Sequence, residues 1–330
     1  MYFKFYIYLV NIFSTFCFKQ PIPFADSSLS KHKIHKVPVL DNENVAVWWN
    51  KKSKEWNAVN DVCPHRQASL SDGVVNPKTA CIKCRYHGIE FNKHGKCTLI
   101  PSSTFNPSIF SVKNYYIKEK YNLLWIDDEK DSDIVIDILE KTHVKSKWSN
   151  FFIDIPSFLI IENILDPLHF THLHHGMLPK INRYKNPDVI NNSYTNWFNS
   201  SGFSVDLYDT SNTKSNYYFV SPYMTNIIFS PSNILVNFII PLNKTTSRHI
   251  GNAIIYTNKN TSLLNLMIKR FIPIIEFIGN KIVQQDISVM NTQDKIIKKN
   301  GKNYKPSGVA DTPIILYNKW LDKYGEQTLF

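Results

Sequence analysis

The chain of 330 residues is short of three things, and each shortage excludes something. It has five cysteines, Cys17, Cys63, Cys81, Cys84 and Cys97. An odd, unevenly spaced set is not the framework of a disulfide-stapled secreted domain. It has no arginine-rich arm and no basic helix face. The net charge of +11 comes from lysines spread along the chain. That argues against nucleic-acid binding and for a basic face toward an acidic redox partner or an anionic membrane. It also has no clean apolar run of membrane-spanning length. Phe5 to Phe16 is too short. Leu263 to Ile282 is broken by Lys269, Arg270, Glu276 and Lys281, and reads as a core or membrane-surface helix. The stretch from Met1 to Cys17 admits three readings: a signal-type segment, a mis-called start, or an apolar first strand.

What the chain does have is concentrated in two places. The first is Cys63-Pro64-His65-Arg66, followed after seventeen residues by Cys84-Arg85-Tyr86-His87-Gly88. Two thiolates and two imidazoles on two tight loops are the ligand set of a Rieske [2Fe–2S] centre, and also of a structural zinc. Apolar, β-branched runs surround the loops: His35 to Leu40, Val45 to Trp49, Trp56 to Val59, and Tyr115 to Ile126. Turns separate them, with a hairpin over Phe91 to Cys97 bending at Gly95. His94 reads as a solvated turn residue and Cys81 as a small buried one. The acidic run Asp127 to Asp131 marks a boundary, after which a linker with a short helix reaches Ser149.

The second place is Glu162-Asn163-Ile164-Leu165-Asp166-Pro167-Leu168-His169-Phe170-Thr171-His172-Leu173-His174-His175-Gly176, with four histidines in seven residues. Two His plus a carboxylate on one face of a metal is the facial triad of non-haem Fe(II) oxygenases. Helix geometry alone favours partners three or four apart, such as His169 with His172. From Asn196 to Thr257 the chain returns to strand patterning, an antiparallel sheet with Tyr217, Tyr218, Phe219, Phe229 and Phe238 as candidates to wall an apolar pocket, or as plain core. Ser262 to Lys298 carries a long helical pattern interrupted at Pro273 and Gly279.

The runs CPHR and CxYHG, the Ser69-Leu70-Ser71-Asp72-Gly73 segment and Ile89-Glu90-Phe91 resemble the Rieske domain of ring-hydroxylating-type oxygenases. Adding Gly95 to Pro101, ENxxDPxHxxxxH, and the tail Pro306 to Asp311 with Tyr317-Asn318-Lys319-Trp320, the chain from Val37 to Gly325 resembles the pheophorbide a oxygenase-like Rieske non-haem iron oxygenases. The resemblance implies an α+β protein. Its parts are an N-terminal targeting or apolar segment (1–24), an all-β Rieske domain (25–130), a linker (131–149) and a helix-grip catalytic domain (150–330). By the same resemblance Cys63, His65, Cys84 and His87 hold the [2Fe–2S] cluster.

The family pattern D-x-x-H-x-x-x-x-H selects His169 and His174 as ligands of a mononuclear Fe(II). Five residues put them about 140° apart on an ideal helix, so the helix is expected to be distorted there, as by a π-bulge. His172 and His175 are then pocket or surface residues. The third ligand is Asp286, in a Q/E-D-x(6)-Q pattern ending at Gln293, with Asp294 its competitor. Asp166 is the matching carboxylate that orients His169 and bridges to His87 of a neighbouring protomer, which implies a head-to-tail homotrimer fed by a ferredoxin-like donor. Its local alternative is an ordinary N-terminal helix carboxylate beside Pro167.

The implied reaction is O₂-dependent oxygenation of an apolar ring substrate such as a chlorophyll-derived tetrapyrrole. A sterol-acting oxygenase and a non-catalytic Rieske electron carrier are the alternatives. There are three departures from the family. Ile89 stands where it has Trp. Its N-terminal Trp-Tyr strand is not recognisable before Pro21. The C-terminal extension with membrane segments and a C-x-x-C is not seen before Phe330, so thiol regulation and an integral anchor are not expected.

Overall fold

The computed structural model describes residues 20–101, 106–140, 148–174, 190–230, 233–255, 262–305 and 308–325. The segment Met1 to Cys17, His175, Gly176 and Pro306-Ser307 lie outside them. Three antiparallel sheets carry the chain.

The first has six strands in the order β1-β10-β9-β4-β3-β2. They are β1 (Ile22–Asp26), β2 (His35–Pro38), β3 (Asn44–Asn50), β4 (Glu55–Asn60), β9 (Asn114–Lys120) and β10 (Leu123–Asp127). The strand β1 begins inside the segment that the sequence reading set apart as 1–24, and it pairs with β10 from Ile22↔Ile126 to Asp26↔Leu123. Ile22, Phe24 and Ala25 are buried, so the strand belongs to the sheet.

The second sheet is inserted between β4 and β9. It has four short strands: β5 (Val74–Val75), β6 (Ile82–Lys83), β7 (Glu90–Phe91) and β8 (Cys97–Leu99). The β7–β8 hairpin turns at Gly95, whose φ is +70°. A Cβ there would come 1.8 Å from the carbonyl oxygen of Val112, so only glycine fits.

The linker holds the helix α1 (Asp137–Glu140). The third sheet has seven strands in the order β11-β17-β16-β15-β14-β13-β12. They are β11 (Ser149–Ile153), β12 (Ile190–Asn199), β13 (Gly202–Asp209), β14 (Lys214–Val220), β15 (Met224–Ser230), β16 (Asn233–Pro241) and β17 (Ser247–Ile255). Four helices complete the fold: α2 (Ser157–Leu165), α3 (Pro167–Leu173), α4 (Ser262–Asn300) and α5 (Thr312–Trp320).

Period-two alternation gives the seven-stranded sheet two apolar faces. Along β16, Leu235 and Ile239 face the core shared with α2 and α5. Val236, Phe238 and Ile240 face the core shared with the six-stranded sheet. Phe238 meets Trp125 edge-on at 5.4 Å, so it belongs to the core that joins the two sheets. Tyr217 and Phe219 face the helices, Tyr218 lines a cavity on the other side, and Phe229 is exposed. The tail is core: Phe219 packs against Tyr317 (4.9 Å) and Trp320 (4.8 Å) of α5.

Two expectations fail. α4 runs unbroken through Pro273 and Gly279. A proline removes a single N–H, and a helix of this length keeps its other bonds. The only π-type turn among the described residues is at Leu321–Gly325, not between His169 and His174.

Candidate metal centres

The local sequence Leu165-Asp166-Pro167 splits one helical stretch into two. A residue before proline avoids the α region, and Asp166 takes φ −85°, ψ 110°. Its Oδ1 then accepts from the N–H groups of Leu168 (2.8 Å) and His169 (3.3 Å), capping α3. So its carboxylate does the ordinary work of an N-cap. What orients His169 is the Asp166 carbonyl oxygen, 2.7 Å from Nδ1.

α3 ends at Leu173, and His174 is a C-cap at φ −96°, ψ 22°. The five-residue spacing is therefore met by stopping the helix. Past its end the chain is released from the 3.6-residue repeat, and His174 swings back toward His169, their rings 5.4 Å apart. Its Nδ1 lies 2.9 Å from Oε1 of Gln285 on α4.

With both Nδ1 atoms engaged, both Nε2 atoms point at Asp286, 3.7 Å (His169) and 3.1 Å (His174) from its Oδ1. The three ligand atoms lie within 4.8 Å of one another. Asn163 on α2 donates to the same Oδ1 at 3.4 Å. His174 is wholly buried, and among the described residues its Nε2 makes no hydrogen bond. Burial disfavours its charged form, but Asp286 and Gln285 outweigh this and hold its pKa above the ordinary value. A buried, unbonded imidazole nitrogen aimed at a carboxylate and a second imidazole nitrogen is a donor set that fits a cation.

Among the described residues the sequence singled out three other groups in this region, and none joins the cluster. His172 is exposed, its Nδ1 on the Leu168 carbonyl. Asp294 pairs with Lys298 at 2.6 Å, and Gln293 is exposed. Gln285 and Asn163 are letters of the two motifs, the Q before Asp286 and the N of ENxxDPxHxxxxH, but the motifs gave them no role; the packing of α2 and α4 brings them here.

The two Cys-His loops repeat one backbone pattern. Cys63 N–H donates to Ala68 O and Gln67 N–H to Cys63 O; Cys84 N–H donates to Ile89 O and Gly88 N–H to Cys84 O. The fourth residue after each Cys is left-handed: Gln67 at φ +57°, Gly88 at +75°. Both loops thus place a thiol inside and an imidazole outside. Cys63 and Cys84 are 1% and 3% exposed, while His65 and His87 are exposed with ring centroids 4.6 Å apart. Burial, with the adjacent Cys84, pushes the Cys63 thiol up to about 11. Bound iron would supply the positive charge that favours the Cys63 thiolate. The thiols-in, imidazoles-out arrangement fits a two-iron cluster held from beneath by sulfur. Ile89 is buried in the packing beneath the loops.

Residues 22–115 match the family described as the Rieske [2Fe-2S] domain. This segment is a Rieske domain. Its cofactor is a [2Fe–2S] cluster, and the oxygenases it resembles add a mononuclear iron. The chain is 24% identical over 346 residues to "Flavonoid 8-hydroxylase 2, chloroplastic" of Ocimum basilicum, covering 90% of this chain and 63% of that protein. It is 29% identical over 161 residues to "Pheophorbide a oxygenase, chloroplastic" of Oryza sativa subsp. japonica, covering 44% of this chain and 30% of that protein. The chain thus spans less than two thirds of the length of these relatives. Its fold is that of Pseudomonas putida CBB5 NdmA with caffeine, with a TM-score of 0.68 and 21% identity over 93% of this chain and 90% of that one.

The first loop of the Rieske domain rests on Asp61, buried at the end of β4. Its carboxylate accepts from Ser71 N–H (2.6 Å), Ser69 Oγ (2.6 Å) and Ser71 Oγ (3.0 Å). Hydrogen bonds to a charged group are worth roughly 1.5–3 kcal/mol each, and orphaned partners add cost. Asp61→Ala is expected to destabilise the domain by about 3 kcal/mol, read as an earlier loss of visible cluster absorbance on heating, with Asp61→Asn intermediate. An unchanged midpoint would remove Asp61 from the loop's support.

Among the described residues no helix is long and apolar enough to cross a membrane.

Proposed function

We propose that the protein is a Rieske-type oxygenase. In this reading Cys63, His65, Cys84 and His87 hold the cluster, and His169, His174 and Asp286 hold a mononuclear iron that supplies O₂ activation. The observation that carries it is the convergence of His169, His174 and Asp286, because a pure electron carrier has no use for a second donor set. The Asp166 carbonyl and Gln285 set the tautomers of the two imidazoles, and Asn163 steadies the carboxylate.

The substrate is an apolar ring compound, with a chlorophyll-derived tetrapyrrole such as pheophorbide a as the first reading. The alignment covering 90% of the chain favours a flavonoid as the second. Electrons come from a ferredoxin-like donor, the protomers form a homotrimer, and the compartment is a plastid with peripheral membrane contact; the names of the relatives support the compartment.

The test is iron and acid-labile sulfide content with EPR of the dithionite-reduced protein. About three irons and two sulfides per chain with a Rieske-type signal are expected. About two irons with no mononuclear site would favour the electron carrier, and zinc without sulfide would overturn the oxygenase.

The helix-facing side of the seven-stranded sheet carries a polar pair suited to fix one substrate group. Cross-strand partners share a face, so His249, opposite Ile239, and Asn237, opposite Gly251, look toward the helices. Nε2 of His249 is 2.9 Å from Oδ1 of Asn237. Nδ1 of His249 and Nδ2 of Asn237 are buried and have no hydrogen-bond partner among the described residues. Burial drives the His249 pKa down to about 4, so the ring is neutral near pH 7 and offers a lone pair beside the Asn237 amide donor. His249→Phe is expected to raise KM about tenfold with kcat little changed, the scale of one buried hydrogen bond. Unchanged KM across tetrapyrrole and flavonoid substrates would remove the pair from binding.

A further inference from the structure

The other face of the seven-stranded sheet holds a cavity of about 600 Å³ between the linker and the strands β12, β14, β15 and β16. Ile136 and Ile138 close it from the linker; Trp197, Tyr218, Met224 and Ile228 form its sheet wall. Register fixes which face this is. Asn226, in the same wall, stands opposite Tyr218 on β14 and Val236 on β16. Val236 belongs to the core shared with the Rieske domain, not to the helix-facing core. The sheet therefore lies between this cavity and His169, His174 and Asp286.

One polar atom in the wall is unaccounted for. Asn226 is 3% exposed, and its Oδ1 has no hydrogen-bond partner among the described residues. An orphaned buried carbonyl oxygen is costly, and native proteins seldom keep one without a use. The volume is that of a small-molecule site, and so is the lining: apolar and aromatic walls with one placed polar group. Asp137 also lines the cavity, which disfavours an anion. From the cavity and the orphaned oxygen together, we propose that this is a second, non-catalytic ligand site for a neutral, flat, apolar ring compound bearing one O–H or N–H, which donates to Oδ1 of Asn226. A ligand there bridges Ile136 and Ile138 of the linker to the sheet, so its occupancy ties the joint between the two domains. The proposal uses neither metal centre and stands apart from the oxygenase reading.

The test is calorimetric titration of the metal-loaded full chain with two probes of one shape, 1-naphthol (one O–H) and 1-methylnaphthalene (none). The expected result is 1-naphthol binding about tenfold more tightly, the scale of a single hydrogen bond to a buried acceptor. Asn226→Leu, which keeps the side-chain size, brings the two probes to within about twofold. Ile228→Trp fills the cavity and abolishes binding of both. In either variant the iron and sulfide contents stay at wild-type values, and His249→Phe leaves probe binding unchanged. The proposal is overturned by no binding of either probe at millimolar concentration, by equal affinities in the wild type, by a preference that survives Asn226→Leu, or by binding lost in His249→Phe. The last outcome would place the probe on the helix-facing side.

Discussion

Asp286→Ala is expected to abolish turnover while leaving the cluster spectrum intact. Among the described residues Asp286 is the one carboxylate that faces the Nε2 atoms of both His169 and His174, at 3.7 Å and 3.1 Å. Removing it leaves two imidazoles against a methyl group. Two neutral nitrogens neither neutralise a divalent cation nor complete three ligands on one face. Loss of an outer-sphere partner alone typically costs 10–100-fold in metal affinity or activity, so loss of the carboxylate itself is expected to exceed about a hundredfold. Iron content should fall from about three to about two per chain with sulfide unchanged. Asp294→Ala is the control. Its buried carboxylate serves the exposed Lys298 one turn along the same helix and points to neither imidazole, so its loss should leave iron and turnover in place. Turnover surviving in Asp286→Ala would remove this residue as the third ligand.

The second large effect is expected from Asp166→Asn. Two roles meet at this residue: the cap on α3, read from geometry, and the acidic link to His87 of a neighbouring protomer, implied by resemblance. Asparagine caps a helix about as well as aspartate, and the backbone carbonyl that orients His169 is untouched. Asp166→Asn should therefore keep the melting midpoint, the iron and sulfide contents and the reducibility of the cluster, and lose turnover by about a hundredfold or more. Asp166→Ala should in addition cost about 1 kcal/mol of stability through the lost cap. Full turnover in the asparagine variant, with the alanine variant merely less stable, would leave the carboxylate as a cap and nothing else.

Much of the site was legible because its signals are local. The Cys-His loops are compact turns whose ligands lie within a few residues of each other, and the strands around them announce themselves by alternation and by turn residues such as Gly95. The choice of His169 and His174 over His172 came from a motif, and these are the two imidazoles that the fold brings to Asp286. How they meet differs from the expectation: a helix distorted between His169 and His174, as by a π-bulge, follows from the spacing, whereas α3 stops and the C-cap turn delivers His174. Helix ends are decided by the balance between the last backbone bonds and tertiary contacts, here the Gln285 side chain, and that balance leaves no mark on periodicity. The strand β1 escaped notice for a related reason: it is a short run whose partner, β10, lies a hundred residues away.

The sequence by itself determined the chemistry: which thiols, imidazoles and carboxylates occur, in what spacing, on a chain patterned as two β-rich units with a long helix. Residue type and short-range spacing settle those matters, since a ligand set is a list of atoms before it is a geometry. Only the tertiary structure decided the tautomers of His169 and His174, the placing of Asn163 and Gln285 beside Asp286 and His174, the pairing of His249 with Asn237, and the side of the sheet on which each cavity wall stands. Those depend on strand register and on how α2 and α4 pack. A shift of one residue in a strand, or of a quarter turn in a helix, would send the same side chains to the opposite face.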